Sequence, residues 1–251
     1  MITDAQWSSF EKDGYLVLGK VLSDEDLKSL QNRIDDIMMG RADVDYDRLL
    51  MQLDSETGEY QDAPEQSNGF KKSTLAYRKI QNLEHDPVLG AYLNRREFKD
   101  VCARAYGGDT PIACFRAMFM NKPVMQGTKL PWHQDAWTDL DRQPKITVWT
   151  ALDPATKANG CVEVVPGTHR LGRVNPGHPS GFLSKEQADE ICKPENVVYL
   201  ELEPGGVVLL HNWLIHSSDV NRTETPRRGF SVCYMDGNTQ SKSGEKFTPV
   251  F

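Results

Sequence analysis

Hydrophobic and polar positions divide the chain into a helical front part and a strand-rich back part. Near the N-terminus, apolar residues at helical spacing follow Thr3 or Asp4, either of which can cap a helix, and Gly14 ends it. The run "YLVLGKVL" then predicts a strand, because it is rich in Val and Leu. A second helix begins after Ser23 and stops at Gly40. Its apolar stripe consists of Leu27, Leu30, Ile34, Ile37 and Met38.

Segment 41–72 shows no comparable pattern. It is polar and acidic with little periodicity, so we interpret it as a long loop. Long loops in compact domains often bind ligands, and we expect this one to be the lid and specificity element. The later stretch 87–107 predicts two short helices, the second ending at Gly107.

After Thr110 the chain changes to short β-rich runs punctuated by Gly, Pro and Asn. The runs are "PIACFRAMFMN", "KITVWTAL", "GCVEVVPGTH", "VVYLEL", "GGVVLLHNWLIH" and "RRGFSVCYM". Strands at this spacing, without alternating helices, predict an antiparallel sandwich or jelly roll. The stretch "KEQADEIC", residues 185–192, predicts a short helix inserted between strands.

Composition narrows the class of protein. The 251 residues include 39% hydrophobic and 26% charged side chains, which suits a folded chain of one large domain or two small ones. The net charge of −7 argues against nucleic acid or an anionic membrane as the main partner. No apolar run approaches the roughly 20 residues of a membrane span. No signal peptide is visible, and the five widely spaced cysteines predict reduced thiols in a cytoplasmic protein.

The candidate chemistry begins in "LPWHQDAWTDL", residues 130–140. On a strand, residues i and i+2 share a face, so His133 and Asp135 would project together. A facial Fe(II) site needs two histidines and one carboxylate, and it leaves positions open for substrate and oxygen. Taken alone, such a pair is more often a surface polar cluster than part of a metal site. A metal site would need a third ligand, and another strand must supply it.

Two histidines in one later segment could supply that ligand. His211 and His216 differ by five positions, so on one regular strand they face opposite sides and only one can join the pair. The other histidines, His85, His169 and His178, lie before the sheet or in turn-rich sequence.

Further on, Arg227 and Arg228 begin the next β-rich run. An arginine there could clamp a carboxylate with two parallel hydrogen bonds. The alternative interpretation is a solvated basic turn at the strand entrance.

In combination, these motifs resemble the phytanoyl-CoA dioxygenase family of Fe(II)- and 2-oxoglutarate-dependent oxygenases. The resemblance runs over roughly residues 15–235. It rests on "RKIQNL", "MFMNKP", "PWHQD", "VWTALDPATKANGCVEVVPGTHRLG" and "GGVVLLHNWLIHSSDVNRTETPRRGFSVCY". It implies a double-stranded β-helix, that is, a cupin-like jelly roll with an all-β core and flanking helices.

Position by position, the resemblance implies a complete site. His133, Asp135 and His216 would hold the metal, whereas His211 would be a non-ligand histidine upstream. Arg227 would bind the distal carboxylate of 2-oxoglutarate. Arg228 competes for that role, because strand alternation lets only one of the two point inward. The other implied residues of the cosubstrate pocket are Lys79, Met118, Trp149 and Ser218. Alternatively, these four are a surface lysine, two core residues and a turn cap.

The implied reaction is hydroxylation of an unactivated C–H of a small molecule, using Fe(II), 2-oxoglutarate and O₂ and releasing succinate and CO₂. The carboxylate of Asp135 favours hydroxylation or a related oxidation (desaturation, epoxidation or ring closure) over halogenation, because related halogenases lack that ligand. The alternative is a non-oxygenase cupin-type metalloprotein, such as a zinc-type isomerase or a binding module. Such a protein would not need a dicarboxylate anchor.

Five side chains could face the substrate: Tyr77, Arg116, Trp137, His211 and Trp213. Arg116 shares a strand face with Met118, and there it would suit an anionic group such as a carboxylate or phosphate. The alternative is a salt bridge from Arg116 to an acidic residue of segment 41–72. Trp137 has the parity of the ligands and is expected at the pocket mouth. Trp132 and Gln134 are expected to face away.

The expected organisation is a single domain spanning residues 1–251. A mainly helical flank (1–110) precedes a jelly-roll core (111–236) and a C-terminal tail (237–251). The expected partner is a small-molecule substrate, with no nucleic acid and no membrane, in a monomer or weak homodimer.

Overall fold

The computed structural model describes residues 2–251, which form helices on one side of two antiparallel sheets. The α-helices are α1 (Asp4–Asp13), α2 (Asp24–Met38), α3 (Pro87–Leu93), α4 (Arg96–Tyr106) and α5 (Lys185–Ile191). The strands are β1 (Tyr15–Lys20), β2 (Leu50–Leu53), β3 (Ser67–Asn68), β4 (Tyr77–Gln81), β5 (Ile112–Lys122), β6 (Leu130–His133), β7 (Ile146–Ala151), β8 (Val162–Val164), β9 (Val198–Leu200), β10 (Gly206–His211), β11 (His216–Ser218), β12 (Arg227–Asp236) and β13 (Thr248–Pro249).

The two sheets face each other as a jelly roll. The larger sheet runs in the order β1-β10-β7-β12-β5-β4-β2-β3, with β13 paired to β5, and the smaller sheet runs β6-β11-β8-β9. One hydrophobic cluster draws buried residues from both sheets, including Trp149 and Val208 from the larger and Val164 and Leu200 from the smaller. This packing confirms the all-β core that the spacing of the β-rich runs predicts.

Helices α1 to α4 cover the outer face of the larger sheet, and α1 and α2 begin at the expected caps. Thr3 and Ser23 accept hydrogen bonds from backbone amides at the starts of α1 and α2, and Gly14 ends α1 in the left-handed region at φ 81°. All five residues of the predicted stripe of α2 are buried, and they join a core with the strands. The two short helices predicted in residues 87–107 are present as α3 and α4, and the predicted helix at residues 185–192 is α5.

Two sequence-based expectations about strands are wrong. Segment 41–72 is not wholly a loop, because β2 and β3 lie within it and β2 pairs with β4. These strands have only four and two residues, and β3 is the edge strand, so neither is long enough to give a periodic pattern in the sequence. His211 and His216 do not share one strand either: His211 ends β10 in the larger sheet, and His216 begins β11 in the smaller one.

The C-terminal residues return to the sheet. Thr248 and Pro249 pair with Cys114 and Ala113 of β5, and the ring of Phe251 stacks on Tyr234 at 6.1 Å between centroids. Residues 237–251 therefore pack on the strand that leads into the pocket. Among residues 2–251, no helix is long and apolar enough to cross a membrane.

Candidate active site

The candidate metal ligands meet where the smaller sheet pairs its strands. His133 is the last residue of β6, and His216 is the first residue of β11 and its direct partner in the ladder. Asp135 follows just beyond β6, where its backbone N–H donates to the carbonyl of Asn212 at 2.7 Å. One potential ligand atom from each of the three side chains lies within 4.8 Å of the others. The geometry therefore places together the three residues that the sequence proposed as ligands.

Hydrogen bonds fix which ring nitrogen each histidine offers. Nδ1 of His133 donates to the carbonyl of Pro131 at 2.9 Å, and Nδ1 of His216 donates to the carbonyl of Leu214 at 2.8 Å. Both Nε2 atoms are then left as neutral lone-pair donors, which is the usual arrangement for ligating imidazoles. Two imidazoles and one carboxylate suit a divalent transition metal with open positions.

Gln134, between the first two ligands, has a structural role. Its Nε2 donates to the carbonyls of Gly172 and Trp213 at 2.8 and 2.7 Å, and its Oε1 accepts from the N–H of Val174 at 2.8 Å. These bonds tie the turn that carries His133 and Asp135 to the loops after β8 and β10.

The electrostatics of the trio favour a bound cation. Burial, together with the neighbouring His216, lowers the pKa of His133 to about 3, so its imidazole is neutral. Burial also acts to raise the pKa of the Asp135 carboxyl, but His216 and Arg116 outweigh it and hold that pKa below its ordinary value. A neutral histidine beside an ionised carboxylate is the protonation state that a metal requires.

A cavity of about 390 Å³ opens beside the trio. Arg227 lines it and is 4% exposed, with its guanidinium 5.6 Å from the ring of Trp149. Nε of Arg227 and Nε1 of Trp149 are both buried donors without a hydrogen-bond partner among the described residues. Buried polar atoms are normally paired, so these two donors fit an acceptor that belongs in the cavity, such as a carboxylate.

The structure separates Arg227 from Arg228. Arg227 points into the cavity, whereas Arg228 points to the opposite face. There Nε and one terminal nitrogen of Arg228 donate to the two carboxylate oxygens of Asp153 at 2.7 and 2.8 Å, and the other terminal nitrogen contacts Asp35 of α2. Strand alternation in β12 produces this division. The remaining proposed pocket residues, Lys79, Met118, Trp149 and Ser218, also line the cavity.

Lys79 and Lys122 add two basic side chains to the cavity wall. Burial, followed by repulsion from Arg116 and Arg78, lowers the pKa of Lys79 to about 7. Lys122 is 3% exposed and donates to the carbonyl of Thr128 at 2.6 Å. Burial and its cross-strand neighbour Arg227 place the pKa of Lys122 well below its usual range.

Three expected substrate residues lie elsewhere. Tyr77 is fully buried, and its hydroxyl accepts from the amides of Lys71 and Lys72 and donates to the Lys72 carbonyl, so it holds the end of segment 41–72. His211 packs against His169 and Phe10 on the helical side of the sheet. Trp213 lies in the turn between β10 and β11, away from the cavity lining.

Trp137 and Arg116 do line the cavity. The strand ends at His133, so Trp137 reaches the mouth through a turn in which its N–H donates to Oε1 of Gln143 at 2.9 Å, not through strand parity. NH2 of Arg116 lies 3.9 Å from Oδ1 of Asp135. Among the described residues, that is its only carboxylate neighbour within 4.0 Å, so the alternative salt bridge to segment 41–72 is not present.

Sequence reasoning missed Arg78, Lys122, Tyr60 and Phe182, which all line the cavity. Lys122 stands in the quoted motif "MFMNKP", four residues after Met118 and therefore on the same strand face, which is a usable indication. Tyr60 and Phe182 come from long loops, and their edge-to-face contact at 4.9 Å is tertiary information.

This chain resembles known proteins in sequence and in fold. The sequence model of the family named phytanoyl-CoA dioxygenase (PhyH) matches residues 10–229. The chain is 28% identical over 263 residues to a probable phytanoyl-CoA dioxygenase of Caenorhabditis elegans, with 96% of this chain and 81% of that protein covered. It is 28% identical over 248 residues to the peroxisomal phytanoyl-CoA dioxygenase of Homo sapiens, with 95% and 70% covered.

Two solved structures share the fold. EctD from S. alaskensis with 2-oxoglutarate and 5-hydroxyectoine superposes with a TM-score of 0.75 at 22% identity, covering 96% of this chain and 78% of that one. The 2-oxoglutarate-dependent (alpha ketoglutarate) carbocyclase SnoK from nogalamycin biosynthesis gives a TM-score of 0.72 at 16% identity, covering 100% and 97%. At these identities the likeness concerns the fold alone.

Proposed function

The chain belongs to the phytanoyl-CoA dioxygenase family, and from that premise we propose that it is an Fe(II)- and 2-oxoglutarate-dependent dioxygenase that hydroxylates a small molecule. The observation that carries the proposal is one cavity that holds both the His133, Asp135 and His216 trio and the buried, unpartnered donor of Arg227. A zinc-type isomerase or a plain binding module would need the trio of ligands but not a buried arginine such as Arg227 in the same cavity.

The proposed reaction consumes 2-oxoglutarate, O₂ and a substrate C–H. One oxygen atom ends in succinate, the other in the alcohol, and CO₂ leaves from the oxidised cosubstrate. Bound iron would supply the site at which O₂ is reduced and a C–H bond becomes oxidisable. His133, Asp135 and His216 would hold it through one face, which leaves the opposite face for cosubstrate and oxygen.

The protein side chains position the cosubstrate. Arg227 and the indole N–H of Trp149 would donate to its distal carboxylate, with Ser218 beside them on the cavity wall. Lys79, which lines the cavity together with Asp135, would face the metal-binding end. Met118 supplies apolar contact to the chain between the two ends. Asp135 occupies a ligand position, which supports hydroxylation or a related oxidation over transfer of a halide.

Segment 41–72 would act with a second loop as the lid. Tyr60 from that segment meets Phe182 from the loop before α5, and Phe182 also lies edge-on to His133 at 5.5 Å. Arg78 lies over the Tyr60 ring at 5.1 Å and anchors it to β4. The two aromatic rings would therefore exclude water from the metal when substrate is bound.

We further propose that residues 1–251 form one domain, with the helical flank 1–110, the core 111–236 and the tail 237–251, and that it acts in the cytoplasm. Support for one domain comes from the tail pairing with β5 of the core. Support for a reducing compartment comes from Cys102, Cys114, Cys161, Cys192 and Cys233, which are all free thiols.

Anaerobic spectroscopy tests the function directly. Fe(II) and then 2-oxoglutarate are added to folded apoprotein without oxygen, and the weak visible charge-transfer band of the chelate is expected. Admission of O₂ should then release succinate slowly, because such enzymes oxidise some 2-oxoglutarate even when no substrate is bound. Folded protein that binds iron but develops no band would refute an oxygenase and favour the cupin-type alternative.

A further inference from the structure

The cavity carries a charge opposite to that of the whole chain. The basic side chains on its wall are Arg78, Lys79, Arg116, Lys122 and Arg227, and the only carboxylate among the lining residues is that of Asp135. The chain as a whole has a net charge of −7. Basic groups concentrated in a cleft of low dielectric attract anions, so the cavity favours negatively charged ligands.

Most of these cations already have a partner or a proposed one. Arg78 donates to Oε1 of Gln52 at 2.7 Å, and Lys122 donates to the carbonyl of Thr128. Under the proposed function, Arg227 and Lys79 face the two ends of 2-oxoglutarate, and Asp135 directs its charge to the metal. Arg116 is the one cation of the wall that these roles leave unassigned.

Arg116 is held in a position from which it can bind a second anion. Its guanidinium lies 5.2 Å from the ring of Trp137 and 5.7 Å from that of Phe115, and the two rings contact each other at 4.4 Å. Aromatic faces orient a guanidinium without using its N–H donors. The side chain is 23% exposed, and its 3.9 Å separation from Asp135 is too long for a hydrogen bond.

We propose that Arg116 binds a carboxylate of the substrate, so that the enzyme oxidises a small organic acid. This inference rests on the proposed function. A carboxylate fits the planar fork of an arginine in two parallel hydrogen bonds, and the roughly 390 Å³ of the cavity must also hold 2-oxoglutarate, which leaves room for a small partner. Because Arg116 adjoins the metal ligand Asp135, the oxidised C–H lies only a few bonds from that carboxylate.

The test measures binding to the anaerobic complex of protein, Fe(II) and 2-oxoglutarate. The probes are butyrate, hexanoate and benzoate, the matching carboxamides, and n-butyl phosphate, and the readout is a shift of the charge-transfer band. The acids are expected to shift the band and the amides are not. The variant Arg116→Gln should raise the acid concentration for half-maximal shift by about tenfold or more, and Arg116→Lys by less.

Matched controls separate the possible failures. Arg142→Gln removes a half-exposed arginine that pairs with Asp236 outside the cavity, and it should bind the acids like the parent protein. A band that no acid shifts, equal shifts by acids and amides, or a response to butyl phosphate alone would each overturn the carboxylate assignment. So would an Arg116→Gln variant that loses only iron affinity, since Arg116 would then merely position Asp135. If no band forms, the proposed function itself fails, and this inference fails with it.

Discussion

His216 is the direct partner of His133 in the ladder between β11 and β6, and their ring centroids are 4.1 Å apart. Two proposed ligands that are distant in sequence are thus brought together by backbone pairing of adjacent strands, while Asp135 is placed by the turn that follows β6. The proposed metal centre depends on correct pairing of the smaller sheet, and each proposed ligand can be tested separately from the fold.

Replacing Asp135 with alanine should remove the anionic ligand and abolish succinate formation. Two neutral imidazoles alone bind Fe(II) weakly, because the site loses its only charged donor. Anaerobic Fe(II) titration and a succinate assay measure the effect. The control Asp109→Ala removes an exposed carboxylate far along the chain from the site and should change neither quantity. Unchanged succinate release by the Asp135 variant would show that the ligand assignment is wrong.

Neighbouring arginines should give opposite phenotypes. Arg227→Gln should weaken 2-oxoglutarate binding by about a hundredfold with little effect on melting temperature, because it removes a cation from the cavity. Arg228→Gln should leave binding unchanged but destabilise the fold by about 3 kcal/mol, because Asp153 and Asp35 lose a largely buried partner. Cosubstrate titration and thermal unfolding of both variants measure the difference. If Arg228→Gln alone weakens binding, Arg228 is the carboxylate anchor.

Gly229 provides space for the indole of Trp149, which lines the proposed cosubstrate pocket. A Cβ at this position would lie 2.4 Å from Cζ2 of Trp149, so Gly229→Ala must push the ring toward the cavity or strain β12. We expect a stability loss of about 1–3 kcal/mol together with weaker 2-oxoglutarate binding. Gly108→Ala is the matched control, because a Cβ there meets nothing within 4 Å. If the Gly229→Ala variant is destabilised but binds 2-oxoglutarate normally, Trp149 does not contribute to cosubstrate binding.

Cosubstrate affinity should fall as pH rises through the pKa of Lys79, which burial lowers to about 7. The sign follows from charge: above that pH the free protein holds a neutral amine, which attracts the cosubstrate anion less. The charged groups that act on Lys79 are Arg116 and Arg78, which lower its pKa, and Asp135, which raises it.

The experiment titrates 2-oxoglutarate into iron-saturated protein between about pH 6 and about pH 8. The variant Lys79→Met should bind more weakly at the acidic end and give a flat profile. A pH dependence that survives in Lys79→Met would assign the titration to another group.

Local patterns in the sequence were sufficient for the helices and much of the site. The caps and the apolar stripe of α2 are short-range features, so Ser23 and Ile34 take the places that their spacing predicts. The same holds for Arg227 and Arg228, since alternation along one strand separates them whatever the rest of the fold.

Predictions failed where the backbone departs from regular strands. Tyr77 was expected to face the substrate, but the ladder between β2 and β4 is irregular beside it, and Tyr77 is buried while Arg78 reaches the cavity. His211 and Trp213 were read as parts of one continuous strand, although a turn follows β10. Such bulges and turns depend on tertiary pairing, which one sequence does not display.

Because side chains alternate along β12, binding of 2-oxoglutarate depends on the register in which this strand pairs. A slip of one residue would exchange Arg227 with Arg228, leaving the cavity without its placed cation and Asp153 without its partner. Misregistered molecules would then fail to retain 2-oxoglutarate, whereas correctly paired ones gain free energy from binding it. 2-Oxoglutarate would thus stabilise the native register of β12 over a slipped one, because only the native register presents Arg227 to it.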